Sequence, residues 1–162
     1  MRQSSHKQAT ARLAFSCYVF TSDARLLLTM RGQTMKTWPG VWSNSCHGHP
    51  EPGESTSDAV ARALREELGL VVVPELVLPG YRGVTAGERC LVYRAVTDDP
   101  PHPDPAAVGD FEWVGWADFV YALVAGDLTM APWCGPEVAE LGALGENPAR
   151  WPVADEAVPP AA

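Results

Sequence analysis

The stretch from Trp38 to Leu70 constrains the fold of this chain more than any other part of its sequence. It joins a loop rich in glycine, proline and tryptophan to a segment with apolar residues at helical spacing. These apolar residues recur every four positions, at Val60, Leu64 and Leu68. Gly69 supplies the stop signal that commonly follows a helix. The pattern predicts a helix over residues 55–68 whose polar side carries Glu66 and Glu67.

The acidic composition limits the classes of partner. The chain has 162 residues, which is most simply one domain, and a formal net charge of −8. An excess of negative charge argues against binding to nucleic acid or to an anionic membrane surface. It does not argue against a phosphorylated ligand, because bound metal ions can provide positive charge locally.

The chain carries no signal for the membrane or for secretion. It has no apolar run of about 18 residues, so no membrane-spanning helix is expected. Residues 1–9 are polar and lack the apolar core of a signal peptide. The four cysteines are far apart and form no C-x-x-C pair; they are Cys17, Cys46, Cys90 and Cys134. These features predict a cytoplasmic protein with reduced, mostly buried thiols.

The remaining patterns predict an α+β fold with a mixed β-sheet between helices. Strands are expected over residues 11–20, 25–30, 71–78, 81–85, 88–96 and 111–114. Helices are expected over residues 55–68, 117–128 and 135–144. Residues 31–52 form a long loop with a short strand, and residues 98–110, with four prolines, form another. The domain is expected to span residues 11–145, with a loose arm over residues 1–10 and a frayed Pro/Ala-rich tail over residues 146–162.

The spacing of Gly48, Glu54 and the run R-x-x-R-E-E-x-G over residues 62–69 resembles the box of the Nudix superfamily. A charge run alone is more often a solvated helix face, but the complete spacing favours a site. In such a box, carboxylates from the loop and the helix converge on Mg²⁺, which prefers oxygen ligands. The candidate ligands are Glu54, Glu66 and Glu67. One position departs, because Ala63 stands where the box has a glutamate that serves in hydrolysis.

The sequence around this box resembles type I isopentenyl diphosphate isomerase, a branch of the Nudix fold. The resemblance rests on R-L-A-F-S from Arg12, W-P-G-V-W-S-N-S at 38–45, G-H-P at 48–50 and G-E-S at 53–55. It covers residues 6–96 well and continues weakly at 111–116 and 131–133. It implies a Mg²⁺-dependent enzyme for a prenyl diphosphate, in which one group protonates an alkene carbon and another removes a proton from the opposite side.

The resemblance also implies roles for individual residues. Glu88 matches the catalytic, metal-binding glutamate, and His49 matches a metal-binding histidine. The remaining matches are Glu67 for the Mg²⁺ bound to the diphosphate, Trp133 and Tyr81 for the pocket that shields the carbocation, and Arg31 for a basic diphosphate ligand. Lys36 falls one position after another such ligand and is a candidate to replace it.

Several positions depart from this family. The catalytic cysteine is replaced by His47, and the neighbouring Cys46 points to the opposite face if the segment is extended. The other departures are Arg12 and the region of Ser5 and His6 in place of histidines, and Ala86 in place of a glutamate. Because two ligands rarely hold a divalent ion tightly, a second metal at His49 and Glu88 is weakly supported.

Three functions remain open at this point. The first is proton-transfer chemistry on a prenyl diphosphate alkene with His47 and Glu88, either isomerisation of isopentenyl diphosphate or a divergent rearrangement or cyclisation in a terpenoid pathway. The second is diphosphate hydrolysis, which the pair Glu66 and Glu67 favours and Ala63 disfavours. The third is binding without catalysis. His47 itself is open to a structural or an acid–base role, and a nearby diphosphate would favour its protonated form.

Overall fold

A computed structural model of the protein describes residues 12–80 and 88–155. Its strands are β1 (Arg12–Phe20), β2 (Arg25–Arg31), β3 (Trp42–Ser43), β4 (Cys46–Gly48), β5 (Glu75–Leu78), β6 (Glu88–Val96) and β7 (Val108–Gly115). Its α-helices are α1 (Thr56–Leu68), α2 (Trp116–Val124) and α3 (Cys134–Gly142), followed by a 3₁₀ turn at Pro148–Arg150. The strands form one sheet in the order β3-β2-β1-β6-β5, with β4 paired to β1 and β7 paired to β2.

The sheet is mixed, as the sequence predicts. Strands β1 and β6 run parallel along their whole length, from the pair Arg12 and Glu88 to the pair Phe20 and Val96. The pairings of β1 with β4, of β2 with β7 and of β5 with β6 are antiparallel. The parallel pair places the first residues of β1 and β6 at the same edge of the sheet, next to the short strand β4.

Helices cover both faces of the sheet because successive side chains of β1 alternate between them. Phe15, Cys17 and Val19 belong to a buried cluster that includes the apolar face of α1. Tyr18 and Phe20 belong to a second cluster, which includes side chains of α2 and α3. The predicted arrangement, a mixed sheet between helices, is therefore confirmed.

Helix α1 has the boundaries that its end signals predict. The Ser55 side chain accepts a hydrogen bond from the amide of Asp58 at 3.2 Å, which caps the first turn. Gly69 ends the helix in the left-handed region with φ of 64°, and the amide of Leu70 donates to the carbonyl of Leu64. The buried face consists of Thr56, Ala59, Val60, Ala63, Leu64 and Leu68. The position of Ala63 therefore faces the core rather than the solvent.

Two strands begin several residues away from their predicted first residues. Strand β5 begins at Glu75 rather than at Val71, and Val71 and Val73 are 84% and 79% exposed. A run of valines favours a strand, but these residues pair with no neighbouring strand in the described chain. Strand β7 begins at Val108, within the predicted loop, because it pairs with β2 as far as Arg31. The strand predicted over residues 81–85 lies outside the described residues.

The chain remains packed beyond residue 145, where the sequence predicts fraying. Trp151 is 2% exposed and lies edge-on to Phe20 and Trp116, with centroid distances of 5.4 and 5.5 Å. Its indole nitrogen donates to the carbonyl of Gly145 at 2.9 Å. The expectation of a frayed tail from residue 146 is therefore wrong as far as Trp151, because an aromatic side chain anchors this segment to the sheet.

Two further sequence expectations concern the thiols and the membrane. All four cysteines are unpaired and buried, as predicted. Among the described residues, none of the helices has the length and apolar character needed to cross a membrane.

Candidate active site

A cleft of about 520 Å³ lies at the edge of the sheet where β1, β4 and β6 meet. The loop that follows β2 and the segment before α3 complete its walls. It brings together most of the predicted site residues, namely Arg31, Lys36, His47, His49, Glu88 and Trp133. Glu54, Glu66 and Glu67 do not line it. Tyr81 lies outside the described residues.

Cys46 and His47 are the two candidates to replace the missing cysteine. The pairing of β4 with β1 directs their side chains to opposite faces of the sheet. Cys46 lies opposite Cys17 and His47 lies opposite Ser16. Cys46 is therefore buried in the cluster beneath α1, where a hydrogen bond with Cys17 and burial raise the pKa of its thiol. His47 points the other way and lines the cleft. The prediction that the two side chains face opposite sides is confirmed, and Cys46 cannot substitute for the cysteine.

His47 is held by one hydrogen bond and one aromatic contact. Its Nδ1 lies 2.9 Å from Oγ of Ser16, and its ring stacks on Trp133 with centroids 4.0 Å apart and planes at 13°. Burial, followed by the positive charges of His49 and Arg31, lowers the pKa of His47 from 6.5 to about 3. The imidazole is therefore neutral near pH 7 in the ligand-free protein. The expectation that a nearby diphosphate favours its protonated form stays a prediction.

His49 and Glu88 lie side by side in the cleft. Nε2 of His49 is 3.3 Å from Oε2 of Glu88, and the rings of His47 and His49 are 6.1 Å apart. Arg12 lines the same cleft, and its backbone lies opposite that of Glu88 in the parallel pairing of β1 with β6. Two ligands do not fit a tightly held divalent ion, and an arginine in the same cleft adds repulsion without providing a lone pair.

Two of the three carboxylates predicted to bind Mg²⁺ are paired with an arginine. Nε and Nη2 of Arg62 donate to Glu54 at 2.9 and 3.0 Å, and Nη1 lies 3.6 Å from Glu66. The hydrogen bond from Arg62 lowers the pKa of Glu54 to about 2. These contacts position the loop against α1 and leave little coordination capacity on Glu54.

Glu67 fits a metal ion better than its neighbours do. Burial raises the pKa of its carboxyl, while the charge of Arg31 opposes this shift. Its side chain makes no hydrogen bond or ion pair with any other residue in the ranges 12–80 and 88–155. Mg²⁺ is commonly held in proteins by one or two carboxylates together with phosphate oxygens and waters. A half-buried carboxylate without a partner, close to a cation of the cleft, meets that requirement.

Two of the three cationic side chains that line the cleft, Arg31 and Lys36, belong to the end of β2 and the loop after it. Arg31 is buried and donates through Nε and Nη2 to the carbonyl and hydroxyl oxygens of Thr37, at 2.9 and 3.0 Å. Its guanidinium carbon is 5.3 Å from the ring centroid of Trp133. Lys36 is exposed and lines the cleft on the same loop. The end of β2 and the loop after it therefore present one oriented cation and one exposed cation to an anionic ligand.

A buried carboxyl beneath His47 was not identified from the sequence. Glu137 on α3 is 0% exposed and accepts hydrogen bonds from three side chains. The donors are the hydroxyl of Tyr18 at 2.8 Å, the hydroxyl of Ser16 at 2.9 Å and the thiol of Cys90 at 3.3 Å. One feature of the sequence could have identified Glu137. It lies four residues before Leu141, on the same face of the helix, and so interrupts an apolar face with a carboxyl group.

His47, Cys90 and Glu137 place ligand atoms within 4.8 Å of one another, which is close enough to suggest a metal centre. Oγ of Ser16 lies among them, however, at 2.9 Å from Nδ1 of His47, 2.9 Å from Glu137 and 3.6 Å from the sulfur of Cys90. Each group is satisfied by this hydroxyl or by a neighbour. The arrangement therefore fits a hydrogen-bond network better than an ion site.

The buried carboxyl predicts a pH dependence of stability. Burial raises the pKa of Glu137 from 4.5 to about 7. A carboxyl whose pKa is higher in the folded state stabilises the fold fully below its unfolded pKa, and this contribution is lost as pH rises through about 7. We expect urea unfolding to show that Glu137 contributes about 2.5 kcal/mol less stability at pH 8 than at pH 5. The Glu137→Gln variant should lack this slope, and an equal slope in both proteins would contradict the prediction.

The sequence of this chain is similar to those of known proteins. The NUDIX domain profile matches residues 10–134. An isopentenyl-diphosphate Delta-isomerase from Saccharopolyspora erythraea is 47% identical over 160 residues, covering 94% of this chain and 82% of that protein. An enzyme of the same name from Rhizobium rhizogenes is 41% identical over 163 residues, covering 93% of this chain and 77% of that protein.

Solved structures with low sequence identity share the fold. DR0079 from Deinococcus radiodurans superposes with a TM-score of 0.66 at 18% identity, covering 80% of this chain and 82% of that one. The MutT protein from Methanosarcina mazei Go1 also gives 0.66 at 18% identity, covering 81% of this chain and 92% of that one. At this identity the likeness concerns the arrangement of the sheet and helices alone.

Proposed function

Because the chain belongs to the isopentenyl-diphosphate Delta-isomerase family of NUDIX-domain proteins, we propose that it converts isopentenyl diphosphate to dimethylallyl diphosphate by proton transfer in the cleft. The observation that carries the proposal is the joint presence of His47 and Glu88 in one cleft bordered by Arg31 and Lys36. The first pair are groups that can move protons, and the second pair are cations suited to a diphosphate.

The reaction needs an acid on one side of the substrate and a base on the other. Addition of a proton to the terminal alkene carbon forms a tertiary carbocation, and loss of a proton from the carbon nearer the diphosphate forms the new double bond. We assign delivery of the proton to Glu88 and its removal to His47. A neutral imidazole with a pKa of about 3 suffices as this base, because protons next to a carbocation are very strongly acidic.

The walls around His47 suit a short-lived cation. Stacking on Trp133 holds the imidazole ring against a flat aromatic surface and excludes water from between the two rings. A neutral base also avoids the repulsion that a protonated histidine would exert on the carbocation. The indole of Trp133 carries no nucleophile that could trap the intermediate.

Glu67 is the residue that would hold the proposed Mg²⁺, together with oxygens of the bound diphosphate. When bound, it would neutralise charge on the diphosphate and so hold the substrate in place. Arg31, which interacts electrostatically with Glu67 and lines the cleft, would orient the same group from the protein side. We assign no ion to His49 and Glu88, because the other ligands that the family has at this second metal site are replaced here.

A divergent rearrangement or cyclisation of a longer prenyl diphosphate is the second candidate. The observation that favours it is the replacement of the family's cysteine by His47, since a change of base can change which proton the cation loses. Both candidates begin with protonation of an alkene, so the same assay distinguishes them through their products.

The experiment is incubation of the protein with Mg²⁺ and isopentenyl, dimethylallyl or geranyl diphosphate in D₂O. Isomerisation predicts deuterium in recovered dimethylallyl diphosphate, detected by mass spectrometry and NMR. Deuterium in a ring-containing product would instead support cyclisation. Release of phosphate or alcohol without deuterium in the carbon chain would overturn both candidates in favour of hydrolysis.

Substitution of His47 tests its role as the base. We expect His47→Ala to lower kcat by about 100-fold, because a base in proton transfer contributes about that much. His47→Cys should keep a larger share of the activity, since a thiol can also accept the proton. The control is His102→Ala, which changes an exposed histidine that does not line the cleft. An unchanged kcat in His47→Ala would rule out a role for His47 in proton transfer.

A further inference from the structure

Glu137 is an unusual residue for the place it occupies. It is completely buried between α3 and the sheet, beside Val138 and near Leu141. No lysine, arginine or histidine forms an ion pair with it in the part of the chain that the structure describes. A buried carboxyl without a cation is costly, and an apolar residue of similar size would pack there without that cost. Stability alone therefore does not explain a glutamate at this position.

The network around Glu137 ends at the candidate base. Oε2 of Glu137 accepts from the Ser16 hydroxyl at 2.9 Å, and Oγ of Ser16 lies 2.9 Å from Nδ1 of His47. The pairing of β1 with β4 places Ser16 directly opposite His47, so the link follows from the sheet register. Ser16 belongs to strand β1 and Glu137 to helix α3, and together they connect α3 to the floor of the cleft.

The direction of each hydrogen bond follows from the number of protons available. A serine hydroxyl has one proton, and when the ionised carboxylate accepts it, the oxygen of Ser16 can only accept from His47. The Nδ1 atom must then carry the proton of the neutral imidazole. The Nε2 atom is left with its lone pair, and it makes no hydrogen bond to any other described residue. A lone pair at Nε2 is what a base in the cleft requires.

We propose that Glu137 is a positioning residue that acts through Ser16 to hold His47 as the Nδ1–H tautomer, so that Nε2 is the atom that accepts the substrate proton. The inference rests on the proposed function of the cleft. It explains why a carboxylate is buried at this point, because an amide or an apolar side chain would not impose one direction on the Ser16 hydroxyl. The thiol of Cys90 and the hydroxyl of Tyr18 complete the set of donors that keeps Glu137 in place.

Two variants break the link at different points. In Glu137→Gln, the amide group can donate to Ser16, which frees the serine proton for Nδ1 and favours the opposite tautomer. In Ser16→Ala, Glu137 keeps Tyr18 and Cys90 while His47 loses its partner. Glu140→Gln is the matched control, because Glu140 is exposed on the same helix and lies away from the cleft.

The readout is the ¹⁵N chemical shift of the two ring nitrogens of His47, recorded at pH 8.5 on ligand-free protein with labelled histidine and assigned by its loss in His47→Asn. We expect the Nδ1–H form in the wild type and in Glu140→Gln, and a shift toward Nε2–H in Glu137→Gln. Ser16→Ala should give a mixture of the two forms. These measurements need no substrate, so they do not depend on the reaction.

Kinetics provide the second readout. We expect Glu137→Gln and Ser16→Ala to lower kcat by about 10- to 100-fold with KM nearly unchanged, because the diphosphate contacts are untouched. The proposal is overturned if His47 is the Nε2–H form in the wild type, or if both variants leave its tautomer and kcat unchanged. Absence of wild-type turnover would count against the proposed function instead, while the NMR result would still decide whether Glu137 and Ser16 control His47.

Discussion

Glu88→Gln is expected to lower kcat for isopentenyl diphosphate by about a thousand-fold, since an amide of nearly the same shape cannot deliver a proton to carbon. Glu88 begins β6, next to Arg12 of β1, and its carboxylate lies 3.3 Å from His49. Initial rates with isopentenyl diphosphate and Mg²⁺ measure the effect. Since Glu88 lines the cleft and belongs to neither core cluster, the melting temperature should change little.

The matched control for this prediction is Glu112→Gln, which makes the same chemical change on the exposed surface of β7. We expect it to keep the wild-type kcat. A Glu88→Gln enzyme with kcat within ten-fold of the wild type would remove Glu88 from the proton transfer. The group that protonates the alkene would then have to be sought elsewhere in the cleft.

Trp151→Ala is expected to lower the free energy of unfolding by about 3–5 kcal/mol, as loss of a buried tryptophan leaves a cavity. The side chain contacts Phe20 of β1 and Trp116 of α2, and it donates a hydrogen bond to the carbonyl of Gly145. Its own carbonyl accepts from the buried guanidinium of Arg94 at 3.2 Å. Urea unfolding followed by circular dichroism measures the change.

Two further substitutions serve as comparisons for the effect of Trp151→Ala on stability. Val153→Ala changes an exposed side chain two residues later and should alter stability by less than about 0.5 kcal/mol. Trp151→Phe keeps most of the aromatic packing and loses the indole hydrogen bond, so it should cost less than Trp151→Ala. If Trp151→Ala were as stable as the wild type, the segment after residue 145 would contribute nothing to the fold.

The helices and most strands could be predicted from local patterns. Helix α1 has a complete set of signals, with an apolar repeat, a capping Ser55 and a terminating Gly69. Strands β1, β2 and β6 are long apolar runs bounded by turn residues. The errors in the strands came where pairing with a distant strand decides the boundary, and helix α2 ends at Val124, before the predicted residue 128. Residues 71–74 have a strand-like composition but no partner in the described chain, and Val108 joins β7 because β2 lies beside it.

The candidate site, too, could be predicted from the sequence only in part. The motif residues His47, His49 and Glu88 were identified from spacing and resemblance, and they do line one cleft. The opposite orientation of Cys46 and His47 followed from the alternation of an extended segment. The pairing of Arg62 with Glu54 was not foreseen, because eight residues along the chain separate a loop carboxylate from a helix guanidinium.

The sequence by itself determined the elements, the alternation of side chains in β1 and β4, and the group of motif residues, because each depends on neighbours within a few positions. Only the tertiary structure decided that Trp151 anchors the end of the chain and that Glu137 lies beneath His47. Those contacts join residues more than a hundred positions apart, and they arise because β1, the central strand, must bury both of its faces at once. The chemistry proposed for His47 depends on that arrangement as much as on its own place in the motif.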